Sequence, residues 1–130
     1  MSDFHIDMHM HSTASDGTLS PRELARACKD AGLEYCALTD HDTVDGVKDY
    51  LYEAKKLGLY ALPAIEFSTQ YDGELHILGY GIDIDNEEFK NELEYLASTR
   101  ELRVHKMVKK LDEAGYHITV DRVREIAGQG

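Results

Sequence analysis

From Phe4 to Met10 apolar and polar residues alternate without a break. Phe4, Ile6, Met8 and Met10 fall on one register, and His5, Asp7, His9 and then His11 on the other. A period of two predicts a β-strand with one apolar side in packing and the other turned elsewhere. The period then changes. Ser20-Pro21-Arg22-Glu23 reads as a helix start, with Ser20 at the N-cap, Pro21 in the first turn and Glu23 placed to close a capping box. Leu24, Ala27, Cys28 and Ala31 form the apolar stripe, and Gly32 ends the helix. Tyr35 to Thr39 predicts a short buried strand. Thr43 is placed to cap a second helix with Val44, Val47, Leu51 and Ala54 inward, closed by Gly58. Tyr60 to Thr69 predicts a third strand, and Asp72-Gly73 a turn into a returning strand from Glu74 to Tyr80.

After Asp83-Ile84-Asp85-Asn86 the pattern is helical from Glu87 to Ala114, with Phe89, Leu93, Ala97, Val104, Val108 and Leu111 in phase. Arg100 interrupts that stripe, so a break between Ser98 and Arg103 is compatible with it. Gly115 is a C-cap candidate, and a last short helix runs from Thr119 through Val123 and Ile126 to Gly128. Strand and helix alternate with short connections before Asp83, which implies parallel strands covered by helices. The chain therefore divides into an α/β region, residues 1–85, and a helical, highly charged region, residues 86–130.

The side of the first strand that should face water carries three imidazoles and a carboxylate in place of the expected Lys, Glu, Thr or Ser. Imidazoles two residues apart on a strand project side by side, which suits two ligands on one ion. In parallel α/β architectures the working site lies at the C-terminal ends of the strands. His9 and His11 end the first strand and Asp16 follows in the next loop. Asp40, His41 and Asp42 end the second strand, Glu66 lies near the end of the third, and His76 is on the returning strand. Taken singly, each of these is an ordinary cap, turn or surface residue. Together they deliver acids and imidazoles to one rim. Histidine with carboxylate and no thiolate suits Mn²⁺, Fe²⁺ or Zn²⁺, and more than four candidate ligands imply more than one ion. Paired ions fit phosphoester hydrolysis by metal-activated water.

The hairpin tests that reading. A two-residue turn at Asp72-Gly73 would put His76 on the face opposite Glu66. A three-residue connection, with Gly73 left-handed in a bulge, would restore both to one face, so shared metal binding predicts an odd-numbered loop or a bulge.

Composition changes the picture little. The chain has 130 residues, 30% of them charged and 42% hydrophobic, which suits a soluble globular domain. No run is long enough to span a bilayer, and the N-terminus shows no signal pattern, so a cytoplasmic location is expected. Cys28 and Cys36 read as core thiols in a reducing compartment. A net charge of −11 argues against a broad phosphate-gripping surface and leaves that work to local cations.

His9-Met10-His11-Ser12, Ser15-Asp16-Gly17, Thr39-Asp40-His41-Asp42, Glu66-Phe67-Ser68 and His76-Ile77-Leu78-Gly79-Tyr80 together resemble the PHP (polymerase and histidinol phosphatase) domain. The helical tail, with Arg100, Arg103 and Met107, is similar to the inserted region of small bacterial PHP phosphoesterases. The resemblance implies the N-terminal portion of a distorted (β/α)₇ barrel that holds up to three metal ions, Mn²⁺ favoured. It also implies a nucleotide or short RNA as substrate, as in enzymes that remove the 3′-phosphate of nucleoside 3′,5′-bisphosphates or trim RNA from its 5′ end. In that pattern His9, His11 and Glu66 would hold the first ion. Glu66 would bridge to a second, which His76 also binds, and Asp16 and His41 would hold the third. Asp40 and Asp42, with Asp7, would orient imidazoles and accept protons. Arg100 and Arg103 are candidates for gripping a substrate phosphate. His5, His105 and His117 match no motif and read as surface or helix-packing residues.

The family continues into further strands and ligands where this sequence stops, so the chain reads as a fragment or as a truncation completed by assembly. Its unpaired strand edges would favour self-association. Two further readings stand beside the nucleotide phosphoesterase. One is a non-catalytic module that binds metal or a partner. The other is a histidinol-phosphate or phosphotyrosine phosphatase on the same scaffold.

Overall fold

The computed structural model of the protein describes residues 5–70 and 73–127. In order the elements are β1 (Ile6–Met10), α1 (Pro21–Asp30), β2 (Tyr35–Leu38), α2 (Val47–Leu57), β3 (Tyr60–Gln70), β4 (Glu74–Tyr80), α3 (Glu87–Glu113) and α4 (Val120–Ala127). The four strands form one sheet in the order β1-β2-β3-β4. β1 and β2, and β2 and β3, run parallel, whereas β3 and β4 form an antiparallel hairpin. Helices α1 and α2 cover one face. Ala25, Cys28, Tyr50, Ala54 and Leu59 meet Cys36 and Leu38 of β2 there, with Met10, Leu24 and Leu33 at the margin. Both cysteines are buried and free.

The sheet is curled and open. β1 and β4 lie at opposite edges, about 14 Å apart were the sheet flat. Yet the Tyr80 hydroxyl donates to the Met8 carbonyl at 2.9 Å, so one side chain spans from β4 to β1. The ladder between β2 and β3 ends at Leu38 opposite Pro63. A single bridge from His41 to Glu66 carries the pairing on, and β3 continues beyond it against β4 alone. Glu66 therefore stands at the last parallel bridge, already inside the hairpin ladder that starts at Ala64.

Local chemistry accounts for most boundaries. Ser20 and Glu23 close the predicted capping box at α1. Three expectations need correction. The alternation of β1 does not run through: Asp7 pairs with Cys36 and Met10 with Leu38, so Met8 and His9 stand against Ala37 alone. This bulge parts Asp7 from His9, because Asp7 and Met10 now oppose residues on the same face of β2. Helix α2 starts at Val47 and not at Thr43, whose hydroxyl accepts from the Asp45 backbone N–H in a local turn. Its first turn packs tightly: a Cβ on Gly46 would lie 2.8 Å from Pro21 Cγ and 3.2 Å from an Asp40 oxygen. Finally, α3 is unbroken over 27 residues. The hydroxyls of Ser98 and Thr99 donate back to the Tyr95 carbonyl, and the charge of Arg100 is met by Asp42 outside the helix.

In the hairpin Gln70 stands opposite Glu74, so three residues connect the strands. Ser68 faces His76 and Glu66 faces Leu78, which puts Glu66 and His76 on one side of the hairpin, as an odd connection requires. Gly73 has φ +141°, and the rest of the predicted turn, Tyr71 and Asp72, lies outside the described residues, as do Phe4 and Gly128.

Candidate metal centre

Glu66 is the hub of the site. Its residue is 4% exposed, and four imidazoles surround its carboxylate. Oε2 lies 2.8 Å from His9 Nε2, 3.1 Å from His11 Nε2 and 3.7 Å from His41 Nε2. Oε1 lies 2.8 Å from His76 Nδ1. Asp16 closes the far side, 3.2 Å from His11 Nδ1 and 3.7 Å from His41 Nε2. The six contributors arrive from five places: His9 from β1, His11 and Asp16 from the loop after it, His41 from the end of β2, Glu66 from β3 and His76 from β4.

Three overlapping groups offer ligand atoms within 4.8 Å of one another: His9 with His11 and Glu66, His11 with Asp16 and His41, and His41 with Glu66 and His76. These groups contain all six residues expected as metal ligands. His11 and His41 each belong to two groups, one more than the resemblance gave them, so the second and third sets have three members and not two.

The donor set fits divalent cations. His11 Nδ1 and His41 Nδ1 are buried and meet no hydrogen-bond geometry, although the first is near Asp16. An unsatisfied buried polar atom costs about 1–3 kcal/mol, a cost the approach of a metal ion removes. Burial raises the Glu66 pKa, but hydrogen bonds from His9 and His76 and the charges of His41 and His9 outweigh it. The carboxyl is held below its ordinary value. Glu66 is thus an anion facing four imidazoles, the combination that binds Mn²⁺, Fe²⁺ or Zn²⁺.

The acids expected to serve the imidazoles do something else. Asp40 is fully buried. One of its oxygens accepts from the Ser12 N–H and the Ser15 hydroxyl, both at 2.7 Å, and the other from the Ser12 hydroxyl at 2.6 Å. Asp42, at φ +53°, accepts from the Ser68 N–H at 2.8 Å and pairs with Arg100 at 3.3 Å. Asp7 accepts from the His9 backbone N–H at 3.2 Å. None of the three touches an imidazole among the described residues. In place of the expected contacts to imidazoles, Asp40 satisfies buried donors of the loop after β1, Asp42 ties the end of β2 to β3 and α3, and Asp7 caps a backbone N–H within β1. Arg103 is exposed, one helical turn beyond Arg100, and forms no ion pair among the described residues.

Sequence reasoning gave no role to Ser12 and Ser15, which turn out to be the partners of Asp40. The available signal was two small hydroxyl residues directly after a ligand histidine. His105 and His117 sit on the surface beside Glu101 and Asp112, and His5 is exposed at the start of the chain's described part.

The PHP domain profile matches residues 7–123. A 5′-3′ exoribonuclease of Haemophilus influenzae is 35% identical over 122 residues, covering 93% of this chain and 44% of that protein. A phosphoribosyl 1,2-cyclic phosphate 1,2-diphosphodiesterase of Eggerthella lenta is 36% identical over 128 residues, covering 92% and 47%. A crystal structure from Bifidobacterium adolescentis, assigned to the metal-dependent phosphoesterases, superposes with a TM-score of 0.83 at 30% identity, covering 98% of this chain and 44% of that one. The chain thus spans less than half the length of these relatives.

Proposed function

The chain belongs to the PHP domain family of metal-dependent phosphoesterases, and we propose that it supplies the metal-holding part of an enzyme that hydrolyses phosphate esters of nucleotides or short RNA. One observation carries the reading: a buried carboxylate, Glu66, contacted by four imidazoles from four segments, two of which keep a buried nitrogen without a hydrogen bond. His9, His11 and Glu66 would hold one ion. Glu66, His76 and His41 would hold a second, and Asp16, His41 and His11 a third. Mn²⁺ is the preferred ion, and the same donors accept Fe²⁺ or Zn²⁺. Bound divalent ions supply a water of lowered pKa and neutralise charge on the phosphate. The protein's own part is placement: Glu66 would serve two of the three ligand groups, and the curl of the sheet brings β1 and β4 within reach of that one side chain.

Arg103 is the arginine available to a substrate phosphate, since Arg100 is engaged with Asp42. Two free, buried thiols suit a reducing cytoplasm. No described helix is long and apolar enough to cross a membrane. A small phosphorylated molecule is the partner that the ligand groups and an exposed arginine suit.

A second reading has its own support. Asp40 and Asp42, the acids expected to take protons, are engaged away from the imidazoles, as suits a metal- or partner-binding module without turnover. A panel of phosphate esters offered to the Mn²⁺-loaded gene product separates the cases. Release of phosphate from a nucleoside 3′,5′-bisphosphate, or nucleotides from 5′-phosphorylated RNA, supports the proposal. Preference for histidinol phosphate or phosphotyrosine moves the enzyme to that branch. Tight metal with no turnover of any ester establishes the module.

A further inference from the structure

The loop from Ser12 to Gly17 carries Asp16 and follows directly on His11, with Ser12 and Ser15 buried beneath it. The Asp16 side chain is 63% exposed. Inside the loop the Ser12 carbonyl accepts from the N–H groups of Ser15 and Gly17 at 3.1 and 2.8 Å, and the Ser12 hydroxyl accepts from the Ala14 N–H at 3.2 Å. The turn closes so tightly on His11 that a Cβ at Gly17 would lie 2.3 Å from the His11 carbonyl oxygen. These bonds fix the loop's shape, and the Thr13 N–H, donating to the Leu19 carbonyl at 2.9 Å, ties it to the approach to α1; none of them joins it to the sheet. Among the described residues, every hydrogen bond from the loop to the strand ends falls on one carboxylate, that of Asp40.

Asp40 is placed to transmit position. The backbone before it is locked to β1, with Thr39 N–H and hydroxyl both donating to the Met10 carbonyl at 2.8 and 3.1 Å. Its own carbonyl accepts from the Glu66 N–H at 3.1 Å, and His41 is the next residue. We propose that Asp40, through Ser12 and Ser15, is the positioning residue of the ion group formed by His11, Asp16 and His41. It sets the distance from Asp16 to the two imidazoles, while the group of His41, Glu66 and His76 is held by the sheet and hairpin without it. The inference rests on the metal-centre reading above.

Titration of the gene product with Mn²⁺, following the free-ion signal by electron paramagnetic resonance, tests it. Asp40→Asn and Ser15→Ala should each weaken one class of site by about 10- to 100-fold, the usual effect of disturbing a residue that orients ligands, and leave another class unchanged. Asp16→Asn should weaken the same class. In the Asp16→Asn background Ser15→Ala should add no further loss, because both act on one ligand. Equal weakening of every class, or a full additional loss in the double variant, overturns the inference and makes Asp40 a general strut. Should Asp40→Asn fail to fold, Ser15→Ala keeps the carboxylate and carries the test. A wild type that binds no Mn²⁺ overturns the metal-centre reading itself, whereas a wild type that binds it and is indifferent to Ser15→Ala overturns only this inference.

Discussion

At the scale of single residues the site is a balance between burial and charge. Burial alone would push the Glu66 carboxyl toward its neutral form, and His9, His76 and His41 hold it ionised. A low pKa means the carboxylate stays charged at pH values where free imidazole, at about 6.5, is already protonating. Metal release on acidification is therefore governed by the histidines: protons compete with the ion for imidazole nitrogen, and bound metal should fall as pH drops from about 7.5 to 5.5. Dialysis against buffers across that range, followed by elemental analysis, measures it. Retention down to about pH 4 would exclude imidazole ligation. The gathering of these six residues was legible in the sequence because imidazoles on a strand and acids at successive strand ends are poor choices for an ordinary surface. The role of Asp40 was not legible. An Asp-His-Asp run looks alike whether the first acid faces the ions or a buried serine loop, and only the three-dimensional closure of residues 12–17 decides.

At the scale of elements, helices α1 and α2 are joined on their outer sides by Arg22 with Asp49 at 2.6 Å and Arg26 with Glu53 at 2.9 Å. The hydrogen bond from Arg26, against the opposing effect of burial and with help from Lys56, holds the Glu53 carboxyl below its ordinary value. A depressed folded-state pKa stabilises above the unfolded-state value and loses that stabilisation as pH falls through the folded one. Glu53→Gln should accordingly lower the melting temperature by a few degrees near neutrality, and the gap to wild type should close under acid. A gap that persists below about pH 3 would assign the effect to packing instead. The hairpin gives a sharper test. Removing one residue from its three-residue connection would turn His76 to the face away from Glu66. That variant should lose the ion of the His41, Glu66 and His76 group and keep the ion bound by His9 and His11, as counted by metal equivalents per chain. The hairpin register was legible because a period-two element leaves only two choices. The start of α2 was not, because Thr43 is a fair cap by composition and only the close approach of Gly46 to Pro21 settles the helix start.

At the scale of the whole molecule the curled sheet leaves apolar groups on view. Tyr60 is 67% exposed, Leu62 46% and Ile6 56%, and Tyr35 stacks on Tyr60 with ring centroids 5.0 Å apart. An open sheet with such a surface seeks cover. The isolated 130-residue polypeptide should self-associate on sedimentation and turn over phosphate esters slowly or not at all, since three-residue ligand groups on an open sheet leave the reacting geometry free to vary. A monomer with rates of ordinary enzymes would contradict that. The half-open form follows what the resemblance implies, the N-terminal portion of a barrel, whereas the link from Tyr80 to Met8 across the curl depends on three-dimensional approach that no local pattern encodes. The central claim is that Glu66 and the five side chains gathered around it hold transition metal, and elemental analysis of protein purified from metal-replete growth tests it most directly. Wild type should carry at least one equivalent of Mn, Fe or Zn per chain. Glu66→Gln, which keeps the shape and removes the charge shared by two of the three ligand groups, should lose most of it. A wild type free of transition metal, or a variant that retains the full complement, would contradict the account.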